Sequence, residues 1–535
     1  MLNYIWFTLL LLGIVTAVTI DLSDTASNKY RNGEPLYVLI RFEKSKIDSV
    51  KFSDAQLMIS KTVFNDFYRT KIKDDLFQSV KLSYNKEKKN FAAYLEVGEN
   101  TPVIWKEMAE INGKENDLSG TVILREKLDS VLNTATFYTE NVSFKKMKEV
   151  TNSAIDYAAN AVKIALGLIG IMALWLGIMK IAEQAGLISL IAKRVRPVTK
   201  FLFPDVPQDH PAIGSMIMNI SANMLGLGNA ATPFGLKAME ELDSINPEKG
   251  TATNAMCTFL AINTAGLTLI PATAIAVRAA AGSSDPAIII GTSFFGALCA
   301  TSVGIISAKV LEKFSIPNFN FAVWLKGNIK IIAGFLVIAI LLILAITSGL
   351  FSAFNTDLLK SVIQTISVLA IPLIIISFVF FGLYKGVRLY EVFVEGAKEG
   401  FNVAVRIIPY LVAMLVAIGI FRAGGAMDFL VLAFSPITNL IGMPAEALPM
   451  ALMRPLSGSG SLGIMSEIIS VHGADSFIGI LVSTIMGSTE TTFYVLALYF
   501  GTVNIKRTRH AVAAGVLADI AGILGALFIV RLLFG

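Results

Sequence analysis

Glu490 and Arg454 are the residues hardest to reconcile with their surroundings. Glu490 lies in Ser483-Thr-Ile-Met-Gly-Ser-Thr-Glu-Thr-Thr, within a long apolar run, and Arg454 in Met453-Arg-Pro-Leu-Ser-Gly-Ser-Gly-Ser-Leu-Gly-Ile-Met. An acid at the centre of a membrane helix costs about 2.5–3.5 kcal/mol on insertion scales, so it requires a polar cavity, a partner or a proton. On one continuous helix over residues 477–500, Ser483, Gly487 and Glu490 share a stripe, and Thr484, Ser488 and Thr491 share the adjoining one. Glu490 then has three open uses: a coupling site for a proton or cation, an acceptor for a solute hydroxyl, or an ion pair with Arg454. Arg454 and Pro455 open a short half-helix carrying Ser457, Ser459 and Ser461. Its free N–H groups bear positive potential and, with the guanidinium, suit a phosphate or carboxylate. Asp519, another buried acid, is expected to balance Arg454 or Arg406.

A second polar stretch, some 230 residues earlier, is uncharged: Asn219-Ile-Ser-Ala-Asn-Met-Leu-Gly-Leu-Gly-Asn-Ala-Ala-Thr-Pro-Phe-Gly. Asn219, Asn223, Asn229 and Thr232, with Asn263, Thr264 and Thr268 on the following long helix, offer the amides and hydroxyls that a polar uncharged solute needs. The same groups also serve as interhelical hydrogen-bond glue without a ligand. Gly226 and Gly228 beside Pro233, and Gly458 and Gly460 beside Pro455, break helices better than they pack them. Interrupted backbone at membrane depth persists only when buried in protein or lining a cavity, and a matching pair in two halves marks a transport site.

These residues must be positioned by membrane helices. The 535 residues are 54% hydrophobic and 16% charged, with a mean hydropathy of +0.65, outside the range of an ordinary soluble domain. The net charge of +5 is small for the length, and its basic residues cluster beside apolar runs as topology anchors, which excludes a nucleic-acid-binding role. Two cysteines and three scattered histidines make neither a disulfide framework nor a metal site. No nucleotide-binding loop, hydrolase elbow or metalloprotease motif is present, so neither an enzyme nor an ATP-driven pump is expected, and no cofactor.

Roughly half of the charged residues fall between positions 21 and 150, which reads as a separate extracytoplasmic domain. It follows an apolar run over residues 4–20, read as a signal peptide or N-terminal anchor (residues 1–20). Inside the domain, Leu36-Tyr-Val-Leu-Ile-Arg-Phe alternates as a strand does, and Val80, Leu82 and Tyr84 face Phe91, Ala93, Leu95 and Val97 across a polar loop. A small β-rich lid, docking or scaffold module is expected.

Beyond residue 150 the apolar segments are ordered by the positive-inside rule. Lys193, Arg194, Arg196 and Lys200 follow the first span (161–182), Lys385 and Arg388 follow residues 359–384, and Lys506, Arg507 and Arg509 follow residues 477–500. For Lys309, Lys313, Lys326 and Lys330 to be cytoplasmic too, residues 212–233 must enter and leave on one face, as a re-entrant hairpin does. The span at 403–421 then runs opposite to that at 161–182. The fold expected is a polytopic all-α membrane protein with inverted repeats and re-entrant hairpins, preceded by the β-rich domain, in the bacterial cytoplasmic (inner) membrane. Short matches in the same order support the pairing: Leu176-Gly-Ile-Met with Ile418-Gly-Ile-Phe, Arg196-Pro with Ser435-Pro, Gly226-Leu-Gly with Gly458-Ser-Gly.

Asn223-Met-Leu-Gly-Leu-Gly-Asn-Ala-Ala-Thr-Pro-Phe-Gly-Leu-Lys-Ala-Met resembles spore maturation protein A. The Arg454 motif, extended to Ser466-Glu, and Gly487-Ser-Thr-Glu-Thr-Thr-Phe-Tyr-Val-Leu-Ala resemble spore maturation protein B. The resemblance covers residues 155–535 and implies a natural fusion within the nucleoside-recognition, or gate, family, with gate domains at 151–350 and 351–535. It implies a transporter or exporter of a nucleoside-like solute, with a coupling proton or cation and a possible homo-oligomer. The alternative it carries is a non-transporting factor of envelope or spore maturation, linked to core dehydration in spore formers. The extracytoplasmic domain departs from the family pattern.

Overall fold

The computed structural model describes residues 2–43, 53–85, 87, 90–112, 117–129, 131–226, 228–314 and 356–535. The segment expected at 329–350, with Lys326 and Lys330, lies outside the described residues. The chain divides into two compact units: residues 9–154 with 420–427, and residues 1–8, 155–419 and 428–535.

The first unit is built on a closed antiparallel barrel of six strands: β1 (Leu36–Phe42), β2 (Ser53–Ile59), β3 (Leu76–Asn85), β4 (Asn90–Glu96), β5 (Asp117–Lys127) and β6 (Leu132–Thr139). Closure follows from β1 pairing with both β2 and β6, which leaves no free edge. Alternation sets the inside: Leu36, Val38, Ile40 and Phe42 are buried while the residues between them are more exposed. The register Val80 to Leu95, Leu82 to Ala93 and Tyr84 to Phe91 is the pairing expected from the sequence. Helices α2 (Lys61–Tyr68) and α3 (Val103–Ile111) accompany the barrel. Trp105 of α3 is fully buried, edge-on to Phe64 and Phe137, and donates its indole N–H to the Tyr68 hydroxyl at 3.0 Å. Burial pushes the Tyr68 phenol up to about 12.

The apolar run at the N-terminus forms one helix, α1 (Leu2–Ala26), of which Asn3–Ala26 is long and apolar enough to cross a membrane. In this unit its Gly13 lies where a β-carbon would come within 2.7 Å of the Ile420 carbonyl. The buried Asp21 carboxylate accepts N–H groups of Lys146 and Met147 at 2.8 and 2.9 Å, capping the start of α4 (Lys145–Gln184).

The second unit is helical. After α4 come α5 (Leu187–Leu202), α6 (Pro211–Met224), α7 (Gly228–Ser244), α8 (Asn254–Ala265), α9 (Ala272–Ala280), α10 (Ile289–Phe314) and α11 (Thr356–Tyr384). Then follow α12 (Leu389–Ala423), α13 (Ala426–Ile441), α14 (Leu448–Met453), α15 (Gly458–His472), α16 (Phe477–Ser488), α17 (Thr492–Thr502) and α18 (Ala511–Phe534). Six stretches of the described residues, α1 among them, have the length and composition of membrane spans, so this is a multi-pass membrane protein.

One order of elements runs twice: long helix, 16-residue helix with an internal proline (Pro197 in α5, Pro436 in α13), helical hairpin, interrupted helix, long helix. The long helices α10 and α18 that close the two series pack on each other, so the series share a core. Small residues allow the approach: a β-carbon on Gly304 would lie 3.1 Å from that of Ala518.

Two expectations are corrected. The apolar stretches 253–277 and 477–500 are not continuous helices. The first stops at Gly266, whose φ of +58° is left-handed, and resumes only after Pro271. The second stops at Ser488, where Thr489 and Thr491 are extended. Averaged hydropathy persists through both interruptions because the first is mostly apolar and the second, Thr489-Glu-Thr491, is short and flanked by apolar helix, whereas glycine, proline and β-branched threonines lower the cost of leaving the helix.

Candidate functional site

Interrupting a buried helix frees backbone donors and acceptors that must be satisfied within the protein. Here each interruption is tied to a hairpin tip. The Leu269 N–H donates to the Met224 carbonyl at 2.8 Å, joining the first break to the α6–α7 hairpin. The Phe493 N–H donates to the Pro455 carbonyl at 3.1 Å, joining the second break to the α14–α15 hairpin. The Glu490 N–H donates to the Thr264 carbonyl at 2.8 Å, joining the breaks to each other. A β-carbon on Gly266 would stand 2.6 Å from Glu490 Cγ, so a side chain there collides with this crossing.

Beside the crossing lies a cavity of about 350 Å³, at the small end of the usual ligand-pocket range. Of the residues expected at a site, Asn223, Gly226, Thr268, Arg454, Gly458, Ser459 and Glu490 line it. Glu490 is therefore not on a helical stripe with Ser483 and Gly487; it sits in the break with its side chain half exposed. Arg454 is buried, its Nη2 donates to the Thr489 carbonyl, and it stands 3.6 Å from the Glu490 carboxylate. Thr268 likewise lies in a break, bonded to the Gly266 carbonyl at 3.0 Å.

Other expected residues stand behind this wall. Asn223 donates to Asn263 Oδ1 at 3.0 Å, and Asn263 donates in turn to the Phe259 carbonyl at 2.9 Å. Asn219 is buried and gives its amide to the Ala231 carbonyl and the Tyr499 hydroxyl. Thr264 contributes its carbonyl, and Thr484 pairs with Thr292 at 2.9 Å. Ser488 and Ser461 return their hydroxyls to their own helices. Ser457 caps α15 by accepting the Gly460 N–H at 3.0 Å, and Thr491 is the buried residue ahead of α17. Thr232 is half-buried in α7 away from the cavity lining; the side chain of Asn229 and the surroundings of Gly228 lie outside the described residues. Asp519 accepts a hydrogen bond from Thr492, because α18 approaches the α16–α17 break through Gly515 and Gly522, and of the two expected cations, Arg454 and Arg406, it is Arg454 whose charge acts on it, without direct contact.

Sequence reasoning missed Lys180 and Glu183 of α4, which pair at 3.3 Å, and Glu399 of α12, all on the cavity wall. They flank the apolar runs, so a hydropathy boundary drawn at residue 182 or 403 sets the latter two aside. Arg278 was also passed over. It is fully buried at the end of α9, bonded to the Ala474 carbonyl and paired with Asp475 at 2.9 Å. Partial burial alone favours the protonated acid at Asp475, yet donors from Ser283 and Ser284, with Arg278, hold its carboxyl below the usual range. Among the described residues no cluster of His, Cys, Asp and Glu has the makeup of a metal site.

Fold and site together define a multi-pass helical membrane protein with two interrupted helices crossing at one polar cavity. The family model described as Gate, nucleoside recognition, matches residues 165–280 and 404–506, each stretch containing one hairpin and one interrupted helix. Spore maturation protein B of Bacillus subtilis (strain 168) is 50% identical over 174 residues, 32% of this chain and 98% of that protein. Spore maturation protein A of the same organism is 44% identical over 168 residues, 31% of this chain and 84% of that protein. The chain belongs to this nucleoside-recognition family and carries the counterparts of both relatives in one polypeptide.

Proposed function

We propose that the membrane-spanning unit is a secondary transporter or exporter of a small polar, nucleoside-like solute, bound in the cavity beside the two helix breaks. The observation that carries this reading is the pair of hairpin tips bonded to two interrupted helices around one cavity. In such an arrangement the unwound backbone and half-helix ends supply polar contacts at mid-membrane, and rocking one repeat against the other exposes the site alternately. On this reading the hairpins are re-entrant, the repeats are inverted, the chain lies in the bacterial cytoplasmic membrane, and the β-barrel is extracytoplasmic. Asn223 and Thr268 present uncharged groups, Glu490 an acceptor for a hydroxyl or a coupling proton or cation, and Arg454 a fixed positive charge. The names of the relatives favour a second reading, a maturation factor that uses the same scaffold without transport.

Thermal unfolding of the purified protein against nucleosides, bases, sugars and amino acids separates the two. A ligand at 100 times its dissociation constant stabilises by about 2.7 kcal/mol. Asn223→Ala, which strips an amide from the cavity wall, should remove most of the corresponding rise in Tm. If the whole panel leaves Tm unchanged, the maturation-factor reading takes its place.

A further inference from the structure

We propose that the cavity takes an oxyanion, a carboxylate or phosphate carried by a soluble solute, on Arg454 and the open first turn of α15, with Glu490 as its competitor. This rests on the solute-binding reading above and names the chemistry of the solute. Arg454 is 3% exposed, yet its charge is incompletely met. Nη2 is spent on the Thr489 carbonyl, Nε has no hydrogen-bond partner, and the Glu490 carboxylate at 3.6 Å is beyond hydrogen-bond reach and half exposed. A guanidinium taken from water without full pairing is costly, and a planar oxyanion is the group its donor fork fits.

Three further groups converge on the same wall. The Ser457 cap satisfies only the Gly460 N–H, leaving those of Gly458 and Ser459 as the unused donors of a 15-residue helix. Thr489 also lines the cavity, and its hydroxyl is buried without a hydrogen-bond partner. From the other series, α9 also begins at the cavity without a side-chain cap, so two half-helix N-termini border one space. The carboxylates nearby limit this to short-range recognition. Lys180 and Glu183 pair with each other, Glu399 stands on the same wall, Asp519 interacts electrostatically with Arg454 from behind it, and Glu490 is the carboxylate an incoming anion displaces. The anion is therefore held by directed donors and not by the cavity's overall charge.

The test uses the full chain in a phospholipid-free non-ionic detergent at constant ionic strength. Tm is read against inorganic phosphate, succinate, adenosine 5′-monophosphate, adenosine, uridine and, separately, phosphatidylglycerol. At least one soluble oxyanion should raise Tm, and Arg454→Gln should abolish the rise. Glu490→Gln should lower the half-saturating concentration of that oxyanion about tenfold by removing the competing charge, a gain that a purely structural pair does not produce. Should Arg454→Gln fail to accumulate, the Glu490→Gln response decides alone. A rise given only by adenosine or uridine overturns the oxyanion and leaves the solute-binding reading standing. Absence of any rise overturns the oxyanion, and if the wider panel above is equally silent it overturns the solute-binding reading too. A rise confined to phosphatidylglycerol, or an unchanged half-saturating concentration in Glu490→Gln, overturns the proposal as well.

Discussion

The residues that stand out by charge inside apolar sequence, Glu490 and Arg454, meet at the cavity because each sits where a helix is interrupted and the backbone alone cannot satisfy every group. The neutral residues divide differently: Asn223 and Thr268 reach the cavity, whereas Asn219 and Asn263 serve a hydrogen-bond cluster with Tyr499. Spacing alone does not separate the two roles, since Asn219 and Asn223 lie four residues apart on one face of the same helix, α6. Asn263→Ala removes the acceptor of Asn223 and should cost about 1–3 kcal/mol of stability, visible as a lower Tm without ligand. His510, one residue ahead of α18, supplies a pH test. Burial, then Arg509 and Lys309, push its imidazole down to about 4. The folded state therefore favours the neutral ring. Its stabilisation is complete above the unfolded value of about 6.5 and is lost as pH falls from there toward 4. Tm measured across that interval should fall less steeply in His510→Gln than in the parent.

The strands and the breaks show what sequence patterns carry and what they conceal. Alternation placed β1 and the β3–β4 hairpin because a period of two reports directly on a half-buried sheet. Closure of the barrel was not readable, since it depends on β1 meeting β6 across about a hundred residues. The helix interruptions were hidden because hydropathy averages over them, although Gly266, Pro271 and the Thr489 to Thr492 run were there to be read. Gly266→Ala must place a β-carbon at φ +58° and 2.6 Å from Glu490 Cγ. It should cost about 1–3 kcal/mol and weaken any ligand that depends on Glu490, measured by Tm with and without that ligand. The N-terminal helix gives another test. Asp21 caps α4 and Gly13 packs closely on residue 420, so α1 should remain in the mature protein. Intact-mass measurement of membrane-purified protein should include residues 2–26; a mass starting near residue 21 would mean that the segment is a cleaved leader.

At the scale of the whole chain, the doubled order of elements and the twofold family match describe one architecture. The sequence hinted at it through short motifs in register, which survive because hairpin tips and breaks need particular residues while lipid-facing helix surfaces accept many. The orientation proposed above rests on the basic clusters and the positive-inside rule. In a chain with Cys257 and Cys299 replaced, a single cysteine at the exposed Ser79 of the barrel should react with an impermeant thiol reagent on intact cells, and one at Val198 should not. The reverse pattern would invert the orientation. The central claim, that the cavity conducts a solute, is tested most directly by flux into proteoliposomes loaded with the unlabelled compound that most stabilises the protein. Gly226 has a φ of +77°, and a β-carbon there would stand 2.6 Å from the Ile270 carbonyl, so Gly226→Val should jam the first hairpin tip. The account predicts labelled-solute accumulation by the parent protein that Gly226→Val abolishes. Saturable binding with no accumulation above empty liposomes would contradict it.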